Sequence, residues 1–323
     1  MKILITGISG FLGRAINDAL KKDQHQIIGI SNEKTLTRET QNYKIDITRR
    51  KELFDFVKKT KPDVCIHLAA KAHADIKEDK QRRVRNINVD GSLNLADALE
   101  NAGIRDLIFF SSAKVLANTT SSGGIDEEIQ PMPEGIYSKC KHEVEEILLE
   151  RTDAKRLNTV IVRPVAVVGP DDSKGNYAKM FRMIRRGFFP MVNGGRAQRS
   201  IVFVENVAER IRKMMEKGLR PRRIYVFEDG CWSLKEIVDA MRTATGYAFC
   251  PEIRIEKENH WVKRMGKILS YAGGDREVLS RYMERLTASF VVRSHLWCED
   301  YGEMPQVDLV TEMRKIVLKE KRN

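Results

Sequence analysis

Gly7, Gly10 and Gly13 follow the β-branched run Lys2 to Thr6 and stand at the mouth of a helical stretch from Phe11 to Lys22. At such a strand-to-helix turn the first glycine permits a tight reversal and the second lets a phosphate approach the backbone. The third lets the helix pack closely, while the helix N-terminus offers oriented N–H groups. That is the chemistry of a bound dinucleotide pyrophosphate. The rival reading, a glycine-rich turn without function, loses weight because the turn sits in an opening βαβ unit. Tyr137 and Lys141 form a second constellation, with an i, i+4 spacing that puts phenol and ammonium on one helix face. A phenol is a poor base at neutral pH, and a fixed cation beside it lowers its pKa and makes a phenolate accessible for taking a hydroxyl proton. Ser111 and Ser112 directly follow a strand, at the sheet edge where doubly wound folds bind ligands, and a hydroxyl there can orient a substrate oxygen.

The elements that must position these groups alternate. Strand runs at Lys2 to Thr6, Gln26 to Ile30, Val64 to Leu68, Leu107 to Phe110 and Val160 to Val162 are separated by helical runs at Phe11 to Lys22, Arg49 to Lys59, Asn88 to Ala102 and from about Tyr137. Strands apolar on both faces, interleaved with helices, imply an α/β fold with a doubly wound parallel sheet. The alternation loosens after Pro164, where loops rich in Gly and Pro separate helices from short strands at Ile201 to Val204 and Arg223 to Phe227. The expected division is a dinucleotide-binding domain over 1–165 and a smaller substrate-binding lobe over 166–323, with segments near 201–217 returning to the sheet.

At 323 residues, 42% hydrophobic and 32% charged, the chain can bury a large core and is neither collagen-like nor disordered in composition. It has no apolar run of bilayer length and no cleavable signal pattern, so a cytoplasmic protein without a membrane partner is expected. Five scattered cysteines read as free thiols rather than as a disulfide framework or a zinc site. His67 and His73 lack a neighbouring carboxylate cluster at ligand spacing, and no metal is assigned. The net charge of +12 suits an anionic partner. Its basic runs lack interleaved aromatics, which favours solvated helix faces over nucleic-acid binding.

Several short runs now fall into one order: Thr6 to Gly13, Asp46-Ile47, His67 to Ala70, Asn88 to Gly91, Phe110 to Ser112, Tyr137 to Lys141, Arg163-Pro164 and Gly169-Pro170. In this order the chain resembles the extended short-chain dehydrogenase/reductases that act on nucleotide sugars. The resemblance implies NAD or NADP as cofactor. It implies that Gly7, Gly10, Phe11, Leu12 and Gly13 hold the pyrophosphate, that Asp46 and Ile47 contact the adenine, and that Leu68, Ala69, Ala70 and Pro164 line the cofactor. Asn88 would support the site from its helix. Ser112 would hold the sugar oxygen, Tyr137 would exchange its proton, and Lys141 would bind the nicotinamide ribose and tune Tyr137. Asn176 and Arg199 match positions that hold the sugar nucleotide, Arg199 through its diphosphate, where a planar guanidinium suits phosphate oxygens.

Departures from that pattern carry information too. Relatives that prefer NAD place an Asp at the end of the second strand, where this chain has Ser31-Asn32; a 2′-phosphate would not be repelled there, and Lys34 or Arg38 could approach it. The run Ala113-Lys114-Val115 lacks the acidic groups of the dehydrating and decarboxylating members. The resemblance therefore implies hydride transfer at C4 of a UDP-hexose or UDP-N-acetylhexosamine in surface-polysaccharide synthesis, by an epimerase. The alternative is a 4-ketoreductase of a UDP-4-keto-6-deoxyhexosamine. A third reading, a non-catalytic dinucleotide-binding regulator on the same fold, does not need the Ser112, Tyr137 and Lys141 set. A homodimer is compatible with each.

Overall fold

Period-two side-chain alternation decides how the strands sort their residues. Ile3 and Ile5 of β1 (Lys2–Thr6) face one apolar layer with Ile66, Ile108, Phe110, Val160 and Val162, while Leu4 faces the opposite layer with Cys65, Leu107, Phe109 and Ile161. Both faces are thus covered, as a parallel sheet requires. The computed structural model describes residues 1–32, 41–72, 78–116, 125, 127–172, 175–187, 189, 191, 193–246 and 288–320. Lys34, Arg38, His73, Cys250 and much of the 118–135 loop lie outside them.

The main sheet has seven parallel strands in the order β3-β2-β1-β4-β5-β6-β9. These are β2 (Gln26–Ser31), β3 (Gln41–Lys44), β4 (Val64–His67), β5 (Asp106–Phe110), β6 (Asn158–Pro164) and β9 (Ile224–Phe227). On one face lie α1 (Phe11–Leu20) and α7 (Val204–Lys217), packed on each other. The other face carries α2 (Arg50–Thr60), α4 (Gly91–Asn101) and α5 (Gly135–Asp153). A π turn, Asn86–Asp90, joins α3 (Glu78–Arg85) to α4, so the expected helix from Asn88 is the second half of a longer one.

A second sheet of three strands, β10-β8-β7, is built from β7 (Ala166–Val168), β8 (Gln198–Phe203) and β10 (Gly230–Ser233). With α6 (Asn176–Arg185), α8 (Leu234–Thr245) and α10 (Leu309–Glu320) it encloses a separate core around Phe181, Phe203, Met241 and Met313. The segment 201–217, expected to return to the main sheet, ends the small-sheet strand β8 and then covers the main sheet as α7; the strand that pairs with β6 comes later, at β9. Arg210 fixes this joint. It donates to Asp229 Oδ1 at 2.7 Å, and Asp229 also accepts from Phe203 N and Asn206 Nδ2. Beside β9, Trp297 and Tyr301 of the short helix α9 (Leu296–Tyr301) stack on each other and meet Tyr225 edge to face.

Candidate dinucleotide and acid/base site

Gly7 has φ of +70°, and a Cβ there would come within 2.9 Å of Ala69 N, so the turn after β1 lies against the end of β4. Gly13 meets that turn from the helix side: a Cβ would lie 2.4 Å from Gly7 O and 2.6 Å from Ile8 Cα. At Gly10, the N-cap of α1, a Cβ would find only Gly7 O among the described residues, at 3.1 Å. No acidic residue occupies the first turn of α1, so its N–H groups keep their positive potential. This cradle, close-packed behind and open in front, fits a pyrophosphate. The ring of Phe11 turns away from it toward Gly169 and, with Ala15 and Val204, lines a groove between α1 and α7; what Phe11 brings to the cradle is its backbone.

Behind the cradle runs a buried relay. Thr6 Oγ1 accepts from Leu68 N at 3.2 Å and Ala69 N at 3.1 Å, and lies 2.6 Å from His67 Nδ1. His67 Nε2 is 2.8 Å from Ser92 Oγ, which donates to Asn88 O at 2.7 Å. With Thr6 already accepting twice, its hydroxyl donates to Nδ1 and the imidazole is the neutral Nε2–H form. Burial first and Lys141 second push His67 down to about 3, consistent with that neutral ring. His67 is therefore a satisfied structural histidine. The buried Asn88 side chain clamps the backbone at Lys71, accepting from Lys71 N at 2.8 Å and donating to its carbonyl at 3.1 Å. It thereby fixes the run that follows Leu68, Ala69 and Ala70 from the π turn.

At the end expected to meet the adenine, Asp46 Oδ1 accepts from the Thr48 N–H at 2.9 Å and its hydroxyl at 2.8 Å. Ile47 is buried and lies over the first residue of α4, where a Cβ on Gly91 would meet Ile47 Cγ1 at 2.7 Å. Ser31 ends β2, buried, with its carbonyl accepting from Ile45 N at 3.1 Å, and Asn32 beyond it is exposed. No carboxylate stands at either position.

The residues expected to do acid/base work lie on two elements at the carboxyl end of β5. Ser112 caps a 3-10 turn, Ala113–Val115, its hydroxyl accepting from Lys114 N at 3.3 Å. α5 packs on that turn and carries both Tyr137 and Lys141. Lys141 is buried, donates to Phe110 O at 2.6 Å and sits 4.5 Å from the Phe109 ring centre. Its amine is pulled down to about 7 by burial, with Glu145 opposing. Burial pushes the Tyr137 phenol up to about 12. The expected lowering of the phenol by Lys141 does not appear in the protein itself, where desolvation of the phenolate is the cause of the shift.

Glu145 and Arg163 were not expected as a pair. Arg163 Nε and Nη2 donate to the two Glu145 oxygens at 2.9 and 2.6 Å, joining α5 to β6 beside Pro164. The available signal was spacing: Tyr137, Lys141 and Glu145 recur every fourth residue on one helix face.

Asn176 and Arg199 belong to the small-sheet lobe rather than to the elements bearing Tyr137. Asn176 is exposed at the first turn of α6, after Gly175, whose N–H donates to Asp172 Oδ1 at 2.7 Å. Arg199 on β8 donates through Nη1 to the carbonyls of Gln198 and Ala288. Burial lowers its pKa, with neighbouring Tyr177 opposing, so Arg199 lies close to α6. Among the described residues, no group of three His, Cys, Asp or Glu side chains could hold a metal, and no helix is long and apolar enough to cross a membrane.

Residues 3–226 match the model of the NAD dependent epimerase/dehydratase family. A UDP-glucose 4-epimerase of Vibrio cholerae is 28% identical over 241 residues, 71% of this chain and 70% of that one. The N-acetyl-alpha-D-glucosaminyl-diphospho-ditrans,octacis-undecaprenol 4-epimerase of Escherichia coli O157:H7 is 26% identical over 234 residues, 70% of this chain and 67% of its own. The solved UDP-glucose 4-epimerase of Thermotoga maritima with UDP-glucose superimposes with a TM-score of 0.81 at 20% identity, covering 100% of this chain and 99% of that one, which shows a shared fold.

Proposed function

The chain belongs to the NAD-dependent epimerase/dehydratase family, and from that premise we propose that it interconverts the C4 epimers of a UDP-linked hexose or N-acetylhexosamine. The observation that carries this reading is the bond from Lys141 to Phe110 O, which sets the Tyr137 and Lys141 face of α5 against the strand end from which Ser112 emerges. A dinucleotide fits the chain's own features: the cradle of Gly7, Gly10 and Gly13, the Asp46-Ile47 end and the clamped Leu68 to Ala70 run. When bound, the nicotinamide supplies and retrieves hydride.

The chain's residues manage the rest. Ser112 orients the C4 oxygen. Tyr137 would act as the phenolate when the ketone forms, accepting the C4 hydroxyl proton, and as the resulting phenol would return that proton to the oxygen when the alcohol is restored. Lys141 holds the nicotinamide ribose, and as an ammonium it offsets the phenolate on its own helix face. Arg199, with Asn176, holds the diphosphate end, so that the sugar can turn while the nucleotide stays fixed. The two UDP-glucose and lipid-diphosphate 4-epimerase relatives support C4 as the reacting centre.

The test is to incubate the chain with its dinucleotide and, separately, UDP-glucose or UDP-N-acetylglucosamine, and to resolve epimers by anion-exchange chromatography. The proposal expects C4 interconversion without net cofactor reduction. Ser31, which lacks the carboxylate of NAD-selective relatives, keeps a 4-ketoreductase as the second reading. That activity would show as steady NADH or NADPH loss on a 4-keto sugar nucleotide and no interconversion.

A further inference from the structure

Glu145 lies one helical turn beyond Lys141, and its side chain is 1% exposed. Its carboxylate is forked by Arg163 and lies 3.6 Å from His142 Nδ1, and these neighbours hold it charged against its burial. Ser111 stands between Phe110, whose carbonyl accepts from Lys141, and Ser112. One carboxylate, on the helix that carries Tyr137 and Lys141, is therefore bonded to the strand that carries Pro164. A buried pair of this kind is weak as a source of stability, because well-packed apolar groups of similar volume do as well or better. Its position is therefore the more informative property.

The groups that face Lys141 can be taken element by element. From α5 come Cys140 and Glu145, and from β5 the Phe109 ring and the Phe110 carbonyl. From β4 comes His67, whose ring is 5.7 Å from the same Phe109 ring and is neutral through the Thr6–Ser92 relay. Arg163 on β6 is the guanidinium held in the fork of the Glu145 carboxylate. Among these groups the ionised carboxylate is Glu145.

We propose that Glu145 is a positioning residue of this site: forked to Arg163, it locks the Tyr137 and Lys141 face of α5 onto the end of β6 and places a buried carboxylate one helical turn from Lys141, where its charge favours the ammonium. The inference rests on the assignment of Lys141 to the proposed reaction, since the ammonium form is the one that holds a ribose and offsets a phenolate. Burial alone drives Lys141 toward its neutral form, and Glu145 is the first opposing influence.

The test reads Lys141 directly in the free protein, by a lysine-carbon NMR titration assigned with Lys141→Met, alongside NADH affinity as a function of pH. Glu145→Gln keeps the volume and removes the charge; its Lys141 midpoint falls by about one pH unit, and the pH at which NADH affinity declines falls with it. Arg163→Lys breaks the fork but keeps the carboxylate; thermal stability drops while the midpoint stays near the wild-type value. Should Glu145→Gln not fold, Glu145→Asp withdraws the charge by one methylene and lowers the midpoint by a few tenths of a unit, roughly. A Lys141 midpoint unchanged in these Glu145 variants, with stability alone lost, overturns the proposal. No sugar is present in the titration, so a failed epimerase assay leaves it standing, and its failure leaves the epimerase reading untouched.

Discussion

Replacing Gly13 and Gly10 separately by alanine should divide packing from ligand approach. The Gly13 Cβ would lie 2.4 Å from Gly7 O, 2.6 Å from Ile8 Cα and 2.7 Å from Ile8 O, all backbone. To restore ordinary contact, the start of α1 and the turn after β1 must separate by roughly 1 Å, an overpacking strain of about 1–3 kcal/mol. The same displacement moves the N–H groups that would hold a pyrophosphate, and a misplacement of that size costs on the order of 100-fold in a positioned site. At Gly10 the new methyl meets Gly7 O at 3.1 Å and no other neighbour among the described residues, and φ of −73° suits alanine, so stability falls by less than about 1 kcal/mol, the loss of a glycine N-cap. The Gly10 methyl would project where the backbone approaches the phosphates. Urea unfolding and NADH fluorescence titration together read both effects. Gly13→Ala should lose stability and binding, and Gly10→Ala binding alone. A Gly13→Ala protein as stable as wild type, or a Gly10→Ala protein binding NADH normally, would refute the packing and approach assigned to this turn.

Tyr137→Phe removes the proton-exchanging hydroxyl with little loss of volume, so steady-state assays should show turnover reduced by about 10²–10⁴-fold while NADH titration shows dinucleotide affinity kept within a few-fold. Arg199→Ala should weaken UDP-sugar binding by about 10–100-fold in calorimetry and leave dinucleotide binding unchanged; equal losses for both ligands would displace Arg199 from the diphosphate. For pH, the folded His67 is depressed to about 3 while an unfolded histidine titrates near 6.5, so the unfolded chain binds the extra proton first. Stability from this residue is present above about pH 6.5 and is lost as pH falls from there toward 3. Urea midpoints at pH 7 and 5.5 should show a shallower decline in His67→Gln than in wild type, and parallel declines would assign the proton elsewhere.

The main sheet was legible because its strands are apolar on both faces, and the glycine turn because three glycines in one βα joint have few other uses. β3 was not, since Gln41–Lys44 is an edge strand, largely exposed, with no apolar alternation to read. The small sheet hid for another reason: β7, β8 and β10 are short and joined across long sequence separations, so pairing rather than pattern defines them. Tyr137, Lys141 and Ser112 could be read from spacing and position. The electrostatics of Lys141 could not, because burial and the Phe110 carbonyl are tertiary facts. The π turn at Asn86–Asp90 was invisible for the same reason: periodicity continues through it, while its purpose, aiming Asn88 at the Lys71 backbone, appears only in three dimensions.

The fate of the C4 hydrogen tests the central claim most directly. A UDP-hexose or UDP-N-acetylhexosamine carrying deuterium at C4 should be converted to its C4 epimer by the chain and its dinucleotide, and proton NMR should find the deuterium at C4 in both epimers, with no build-up of reduced cofactor. Interconversion with deuterium exchanged into solvent, or no interconversion alongside stoichiometric NADH or NADPH consumption by a 4-keto sugar nucleotide, would contradict an epimerase that removes and returns hydride within one turnover.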